Sequence, residues 1–209
     1  MIVKERLAKE PITIGVLGPI GSGKSTLCRI LSERLNVERI EENFSENPFL
    51  KDFYKNPQQF SFRSQLWFLK STVDQLMEIR ENRTRILDPA NEMNFLYAET
   101  HRRLGWMSKH EFEIYNKLYV VLTEKSGIKT PDLYLCINAK LSVLQERIIK
   151  RGRPFELTML KNHPHYLSNL SAEVDAFRAG NFLQIDTTHD NSIDETHIDG
   201  LMERIKRNI

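Results

Sequence analysis

The residues best suited to chemistry stand in one glycine-rich run near the start of the chain. The run fits the pattern G-x-x-x-x-G-K-[ST] at every fixed position and reads Gly18-Pro19-Ile20-Gly21-Ser22-Gly23-Lys24-Ser25-Thr26. Its glycines allow a tight curl in which successive backbone N–H groups face a bound anion. Lys24 would bring its charge to the outer phosphates of a nucleoside triphosphate, and the Ser25 hydroxyl would be a ligand of Mg²⁺. The run therefore predicts a magnesium-nucleotide site.

The elements that must position this run can be read on either side of it. Residues 12–17 form a short apolar stretch that is typical of a buried strand. After the run, helical spacing relates Leu27, Ile30, Leu31 and Leu35. A helix in this place adds its partial positive end to the anion site. The alternative is a glycine-rich turn whose spacing arises by chance.

The rest of the chain alternates between predicted strands and predicted helices. Further strands are predicted at residues 37–40, 84–87, 133–137 and 182–185. Helices are predicted at residues 60–81 and 90–103 and around residues 112–122, 141–148 and 198–205. Residues 41–50 should form a loop or a capped helix start at the strand end, which is where open α/β sheets bind ligands. The pattern predicts the α/β class, with a parallel sheet covered on both faces and one domain over residues 1–209.

Composition limits the classes of partner. The chain has 209 residues, of which 40% are hydrophobic and 28% charged, and its net charge is only +2. Such a small net charge gives no support for binding a nucleic acid polymer or an anionic membrane. The first residues lack the apolar run of a secretory signal, and Cys28 and Cys136 match no metal-binding or redox spacing. We expect a cytoplasmic protein with no membrane partner, in which both cysteines belong to the core.

Several further blocks resemble the deoxynucleoside kinase family, and they follow the family's order over nearly the whole chain. They are Asn47-Pro48-Phe49-Leu50-x-x-Phe53-Tyr54-x-x-Pro57, Phe62-x-x-Gln65-x-x-Phe68-Leu69, Tyr115-Asn116-Lys117-Leu118, Pro131-Asp132-Leu133, Arg147-x-x-x-Arg151-Gly152-Arg153 and Ile185-Asp186. The resemblance implies a three-layer P-loop kinase fold with a five-stranded parallel sheet and an arginine-bearing lid at about residues 147–160. It also implies transfer of a phosphoryl group from ATP to the 5′-hydroxyl of a deoxynucleoside, with Mg²⁺, and a homodimer formed through helices.

The resemblance also assigns the phosphate contacts. It implies that Gly18, Gly21, Ser22, Gly23, Lys24, Ser25, Thr26, Arg151 and Arg153 bind ATP, with Lys24 and Arg147 acting in catalysis. Arg147 and Arg151 are four residues apart, so a helix would place them on one face, where guanidinium groups suit phosphate oxygens. Glu156 matches a lid glutamate that contacts the sugar. The alternative for the arginines is a solvated basic face.

Two carboxylates at predicted strand ends are the remaining candidates for chemistry. Glu42 stands five positions before Asn47, where the family has its catalytic base in a Glu-Pro-Val type motif; here the motif reads Glu-Asn-Phe. Asp88 matches the acidic residue that assists Mg²⁺ and that acts in catalysis. The alternatives for Glu42 are a solvated carboxylate and an assignment shifted by one position to Glu41. The alternative for Asp88 is an Asp-Pro turn.

The chain departs from the family directly after Asp88. The family continues with an arginine in an Asp-Arg-Ser type motif, whereas this chain has Pro89-Ala90. A missing cation beside the transferring oxygens could reduce the rate by orders of magnitude, because such groups stabilise developing charge. Arg102 and Arg103 are the candidate replacements.

Tyr54 and Gln65 match the family positions that hold the 3′-hydroxyl and the edge of the base. A glutamine amide offers both a donor and an acceptor, as a base edge requires. Of the aromatic residues Phe62, Trp67 and Phe68, we expect two to be core and one to be placed for stacking. Thr72 stands where the family has an arginine, so one hydrogen-bonding partner of the base is missing and the family's substrate preference does not carry over. The expected purine preference rests instead on the similarity to bacterial deoxyadenosine and deoxyguanosine kinases. The alternatives are a kinase for a nucleoside monophosphate or another small alcohol, and a catalytically weak nucleotide-binding regulatory subunit.

Overall fold

The computed structural model describes residues 11–79, 83–189 and 195–208. Five strands are present in these ranges: β1 (Thr13–Leu17), β2 (Glu38–Glu41), β3 (Arg85–Asp88), β4 (Leu133–Asn138) and β5 (Phe182–Asp186). Every neighbouring pair is parallel, and the order across the sheet is β2-β3-β1-β4-β5. The predicted α/β class with a five-stranded parallel sheet is confirmed. The strands begin and end within one residue of the predicted bounds.

Nine α-helices connect or follow the strands within the described residues. They are α1 (Lys24–Leu35), α2 (Leu50–Lys55), α3 (Pro57–Met77), α4 (Glu92–Arg103), α5 (Lys109–Lys125), α6 (Leu141–Arg151), α7 (Pro154–Asn162), α8 (Tyr166–Ala176) and α9 (Glu195–Arg207). A short 3₁₀ helix, Phe44–Glu46, lies between β2 and α2. Apolar periodicity did not predict α2, α7 or α8. Helix α3 ends at Met77, short of the predicted end at residue 81.

Local signals fix the ends of several helices. In α3 the Asn56 side chain accepts a hydrogen bond from the Gln59 backbone N–H, and Pro57 occupies the first turn, where a missing N–H costs nothing. Helix α5 begins with a capping box between Ser108 and Glu111, each side chain accepting from the other residue's backbone N–H. The first of these caps sets where α3, a helix that lines the site, begins.

Alternate residues of the sheet pack on opposite faces. On one face, Ile14 and Val16 of β1 pack with α1 and with the buried side of α9, which includes Ile198 and Leu201. On the other face Leu17 packs with residues of α4 and α8. A third cluster joins α3, α4 and α5 outside that layer. The sheet is therefore covered on both faces, as the sequence predicts. No helix within the described ranges has both the length and the apolar character needed to cross a membrane.

Candidate active site

One cavity of about 290 Å³ lies at the carboxyl ends of β1, β2 and β3. Its floor is formed by the glycine-rich run and the residues that end β2 and β3, and its walls by α2, α3 and α4. The segment from Arg151 to Glu156, where α6 passes into α7, closes another side. The volume is near the lower end of the range found for ligand cavities. The sheet thus brings together residues that are far apart in the sequence.

The glycine-rich run has the backbone conformation that its composition predicts. Gly21 and Gly23 have φ angles of 86° and 94°, in the region that side chains disfavour. A Cβ atom on Gly21 would lie 2.7 Å from the Leu144 carbonyl oxygen of α6, so this close contact also requires glycine. Gly21, Gly23, Lys24, Ser25 and Thr26 line the cavity. Gly18 and Ser22 do not, and the Ser22 side chain is fully buried.

Lys24 occupies the centre of the charged end of the cavity. Its Nζ donates to the carbonyl oxygens of Gly18, at 2.7 Å, and Pro19, at 3.2 Å. Burial lowers the pKa of this amine, while the carboxylates of Asp88 and Glu42 oppose the change. The amine is therefore desolvated, and its hydrogen bonds within the described part of the chain go to backbone oxygens. Phosphate oxygens would be stronger acceptors for the same protons.

Glu42 follows β2 directly, and its side chain lines the cavity. Its backbone N–H donates to the Asp88 carbonyl oxygen at 3.0 Å, which ties the ends of β2 and β3 together. Burial raises the pKa of the Glu42 carboxyl from its ordinary value to about 7; Lys24 lowers the pKa in part, and Asp88 adds to the increase. The neighbouring Glu41 has a side chain that is 62% exposed and pairs with Arg39. The geometry thus places Glu42 rather than Glu41 as the enclosed carboxyl.

Asp88 ends β3, and its side chain is almost fully buried. It contacts Arg39, a cation that the sequence did not indicate as part of the site. Arg39 of β2 donates to Asp88 Oδ2 from Nη2, at 2.6 Å, and from Nε, at 3.2 Å. The expected replacements for the missing arginine, Arg102 and Arg103, do not line the cavity. They pair with Glu99 at the end of α4, and Arg103 also pairs with Glu173. That interpretation is wrong because the last turn of α4 carries them away from β3.

The lid arginines have different surroundings. Arg151 and Arg153 line the cavity and pair with Glu156, which is 5% exposed; the shortest distances are 2.7 Å and 3.4 Å. Arg147 does not line the cavity. Its guanidinium donates to the Thr187 carbonyl oxygen at 2.6 Å, and the Thr187 hydroxyl donates to the Ser22 carbonyl oxygen at 2.8 Å. Although Arg147 and Arg151 share α6, Arg147 braces the loop after β5 against the glycine-rich run.

The apolar end of the cavity holds the predicted acceptor residues. Tyr54 lines it, and its ring stacks on Phe155 with 4.8 Å between centroids. Gln65 is 3% exposed, and its Oε1 is buried without a hydrogen-bond partner. Burial removes the hydrogen bonds that this oxygen would make to water, and nothing replaces them unless a ligand supplies a donor. Of Phe62, Trp67 and Phe68, only Phe68 lines the cavity, while Phe62 packs in the α3–α5 core.

Asn94 of α4 is a cavity residue that the sequence did not indicate. Its Nδ2 donates to the Thr72 hydroxyl at 3.0 Å and to Asn91 Oδ1 at 3.2 Å. Thr72, which stands in place of an arginine of the family, therefore contacts a cavity residue but does not itself line the cavity. Tyr97 and Tyr166 also line this end. Their side chains lie on helices that no local pattern assigns to the site.

The oxygen atoms near Lys24 suit Mg²⁺. The Ser25 hydroxyl and the Asp88 carboxylate belong to residues that line the cavity beside the phosphate loop. Mg²⁺ prefers oxygen ligands, keeps several waters and usually takes only one or two protein ligands beside substrate phosphates. No group of three or more histidine, cysteine, aspartate or glutamate side chains that could hold a metal ion occurs in the described part of the chain. The donor set therefore fits Mg²⁺ bound together with a nucleotide.

A strand, phosphate loop and helix at the centre of a parallel 2-3-1-4-5 sheet, with Arg151 and Arg153 lining the same cavity as the loop, define a P-loop kinase. The family model described as deoxynucleoside kinase matches residues 14–209. The chain therefore belongs to the deoxynucleoside kinase family, which is a family of phosphotransferases, and the predicted family membership is confirmed.

Individual relatives agree with this assignment. The chain is 34% identical over 167 residues to a deoxyguanosine kinase of Bacillus subtilis, covering 78% of this chain and 76% of the relative. It is 31% identical over 142 residues to a deoxyadenosine kinase of Lactobacillus acidophilus, covering 66% of each. The fold is similar to that of a deoxyadenosine kinase from M. mycoides with bound dCTP. That comparison has a TM-score of 0.79 at 22% identity and covers 94% of this chain and 100% of the other.

Proposed function

We propose that this protein transfers the terminal phosphoryl group of ATP to the 5′-hydroxyl of a deoxynucleoside, preferring purine deoxynucleosides, as a step of nucleotide salvage. One observation carries the proposal: a single cavity has a phosphate loop with a buried lysine at one end and an unpartnered glutamine oxygen at the other. Glu42 stands among the residues lining the same cavity, with its pKa raised to about 7. Donor, base and acceptor sites thus share one space.

At the donor end, this chain's groups hold the phosphates and neutralise their charge. The N–H groups at the start of α1 and the Lys24 amine bind the outer phosphates, and Arg151 and Arg153 approach from the lid. Ser25 and Asp88 would hold Mg²⁺, which supplies additional positive charge to the phosphate oxygens when it is bound. Phosphoryl transfer needs this positioning and charge stabilisation more than covalent help.

At the acceptor end, Glu42 is suited to remove a proton. A carboxyl with a pKa of about 7 is partly ionised at neutral pH and is a stronger base than an ordinary glutamate. As the 5′-oxygen forms its bond to phosphorus, the bond from phosphorus to the bridging oxygen of ATP breaks, and the hydroxyl proton passes to Glu42. Burial of Glu42 therefore serves the reaction, although it costs stability.

The neutral polar groups of the apolar end support a base as the acceptor's recognition element. Gln65 offers its unpartnered Oε1 to a donor on the base, and Asn94, which is hydrogen-bonded to Thr72, lines the same cavity. Tyr54, stacked on Phe155, is placed to meet the sugar. The purine preference draws on the relatives, which include both deoxyguanosine and deoxyadenosine kinases. A purine has an N–H donor, exocyclic or in the ring, that can reach Gln65. It also has a large flat face that can pack against the aromatic side chains.

The test is a panel of acceptors assayed with ATP and Mg²⁺. The four deoxynucleosides, their 5′-monophosphates and the matching ribonucleosides are supplied separately, and products are separated by chromatography. We expect deoxynucleoside 5′-monophosphates as products, with deoxyadenosine or deoxyguanosine giving the highest kcat/KM. Phosphorylation of the monophosphates alone would favour a monophosphate kinase instead. Tight nucleotide binding with no product from any acceptor would favour a regulatory subunit. Lys24→Met serves as the blank for contaminating kinases.

A homodimer is the assembly that the apolar surface supports. On α5, Ile114 and Val121 are 52% and 43% exposed and lie seven residues apart, so they share one helix face. Met77, at the end of the neighbouring α3, is 57% exposed. A second copy of the chain would cover this surface. Light scattering after size-exclusion chromatography should give twice the chain mass, and Ile114→Glu together with Val121→Glu should give the monomer mass.

We also infer a cytoplasmic location, which the free, buried cysteines support.

A further inference from the structure

Phe44 and Arg153 belong to different segments that line the cavity, and their side chains contact each other. The proposed mechanism gives this contact no role. The Arg153 Cζ lies 4.8 Å from the centroid of the Phe44 ring, within the distance of a cation–π interaction. Phe44 begins the 3₁₀ helix two residues after Glu42, whereas Arg153 caps the start of α7 in the lid. Both side chains line the cavity. The contact therefore joins the segment that carries the proposed base to the segment that carries the lid cations.

The two lid arginines that line the cavity are fixed by different means. Arg151 donates to Glu156 Oε2 from two nitrogens, at 2.7 Å and 3.0 Å. Arg153 has one long hydrogen bond to Glu156 Oε1, at 3.4 Å, and its side chain is 40% exposed. A long side chain with so weak a bond keeps much of its rotamer freedom. For Arg153, the Phe44 ring is therefore the stronger restraint.

An aromatic ring can restrain a guanidinium without using its hydrogen bonds. The ring contacts the flat face of the group, while the N–H donors point outward in its plane. Arg153 held in this way keeps most of its donors available for phosphate oxygens. A carboxylate partner such as Glu156 would instead have to be displaced before a phosphate could bind the same donors.

We propose that Phe44 is a positioning residue, whose ring orients the Arg153 guanidinium toward the phosphates and couples the Glu42 segment to the lid. The proposal rests on the proposed phosphoryl transfer. It also connects two departures noted in the sequence: phenylalanine at position 44, where a Glu-Pro-Val type motif has valine, and Pro89, where an arginine is usual. Valine has no π face. With no arginine after Asp88, more of the positive charge at the transferring oxygens has to come from the lid.

A double-mutant cycle tests the contact. Phe44→Leu keeps an apolar side chain of similar size but removes the π face, Phe44→Tyr retains the face, and Arg153→Gln removes the cation. Phe95→Leu is the matched control, because Phe95 packs against Phe112 and Tyr119 and does not line the cavity. For each variant, kcat and the KM values for ATP and the deoxynucleoside are measured. The affinity for ATP is measured by calorimetry without acceptor, and the unfolding midpoint checks the fold.

We expect Phe44→Leu to raise the KM and Kd for ATP about 3- to 10-fold, the range of a partly exposed cation–π contact. Phe44→Tyr keeps the aromatic face, so its KM and Kd for ATP should stay within about twofold of the wild-type values. In the Arg153→Gln background, Phe44→Leu should have no further effect, and Phe95→Leu should leave both constants unchanged. Equal losses from Phe44→Leu with and without Arg153, or a loss confined to the deoxynucleoside KM, would overturn the proposal. No effect of Phe44→Leu on ATP would also overturn it.

The calorimetric measurement separates this proposal from the proposed function. If no acceptor of the panel is phosphorylated by the wild type, the function fails, but the effect of Phe44→Leu on ATP affinity still decides whether the ring positions Arg153. If turnover is normal and the cycle shows no coupling, the function stands and the positioning role fails.

Discussion

Replacing Glu42 with glutamine is expected to remove most turnover and, at neutral and alkaline pH, to make the folded protein more stable. Glutamine has nearly the same shape but cannot accept the hydroxyl proton. Loss of a general base typically reduces kcat by about 10²- to 10⁴-fold. Because the glutamine amide remains neutral, it also avoids the burial of a charge that raises the pKa of Glu42 to about 7. Activity and stability should therefore change in opposite directions.

The size of the stability change follows from the pKa of the Glu42 carboxyl. Its ordinary value is 4.5, and in the folded protein burial raises it to about 7. Below pH 4.5 both the folded and unfolded chains keep the proton, so there is no penalty. Between pH 4.5 and 7 the unfolded chain releases the proton first, and the free energy of unfolding of the wild type falls. The free energy of unfolding of Glu42→Gln should therefore exceed that of the wild type by about 1 kcal/mol at pH 5 and about 3 kcal/mol at pH 8.

The assay is urea denaturation of the wild type and Glu42→Gln at pH 5, 6, 7 and 8, beside kcat measurements over the same range. Glu46→Gln is the control, since Glu46 is an exposed carboxylate on the adjacent 3₁₀ helix. The wild-type kcat/KM should rise with pH through about 7 as the base loses its proton. A stability difference that is constant with pH, or a Glu42→Gln enzyme with normal kcat, would refute the reasoning.

Three further substitutions give distinct results. Gln65→Leu should raise the KM for the deoxynucleoside about 10- to 100-fold, leave the KM for ATP unchanged and slightly stabilise the fold, because it removes a buried unpartnered oxygen. Arg39→Met should lower the free energy of unfolding by about 2–4 kcal/mol by removing the ion pair of the buried Asp88 carboxylate, whereas Arg34→Met, at an exposed pair, should cost about 0–1 kcal/mol. Equal costs in urea denaturation would contradict this. Lys24→Met should lower kcat/KM about 10³-fold in steady-state assays and leave the fold intact; near-normal rates would exclude its role.

The sequence was sufficient for the parts of the site whose geometry is local. Within nine consecutive residues, the glycine-rich run specifies its own curl and the start of α1, so its form could be predicted. The central strands β1 and β4 were recognisable because each is a short apolar run that a covered parallel sheet requires. Helix α8 was missed although Tyr166, Leu167, Leu170 and Val174 have helical spacing and are buried. The periodic signal for this helix is therefore present in the sequence.

The contacts around Asp88 could not be predicted from local pattern. Arg39 lies 49 residues before Asp88, and the two meet because β2 and β3 are neighbours, with Glu41 opposite Asp88 in the register. Sequence proximity pointed instead to Arg102 and Arg103, which the turn of α4 directs toward Glu99. Strand order and register depend on packing over the whole sheet, so no window of the sequence contains them.

The sequence by itself determined the phosphate loop, the alternation of strands with helices along the chain, and the family, because each depends on residue types at short or fixed spacing. Only the tertiary structure decided which side chains share the cavity. It buried Glu42 enough to raise the pKa of its carboxyl, turned Arg147 toward Thr187, left Gln65 Oε1 without a partner and placed Arg153 over the Phe44 ring. These properties arise from desolvation and from contacts between distant segments, which exist only after the helices have packed against the sheet.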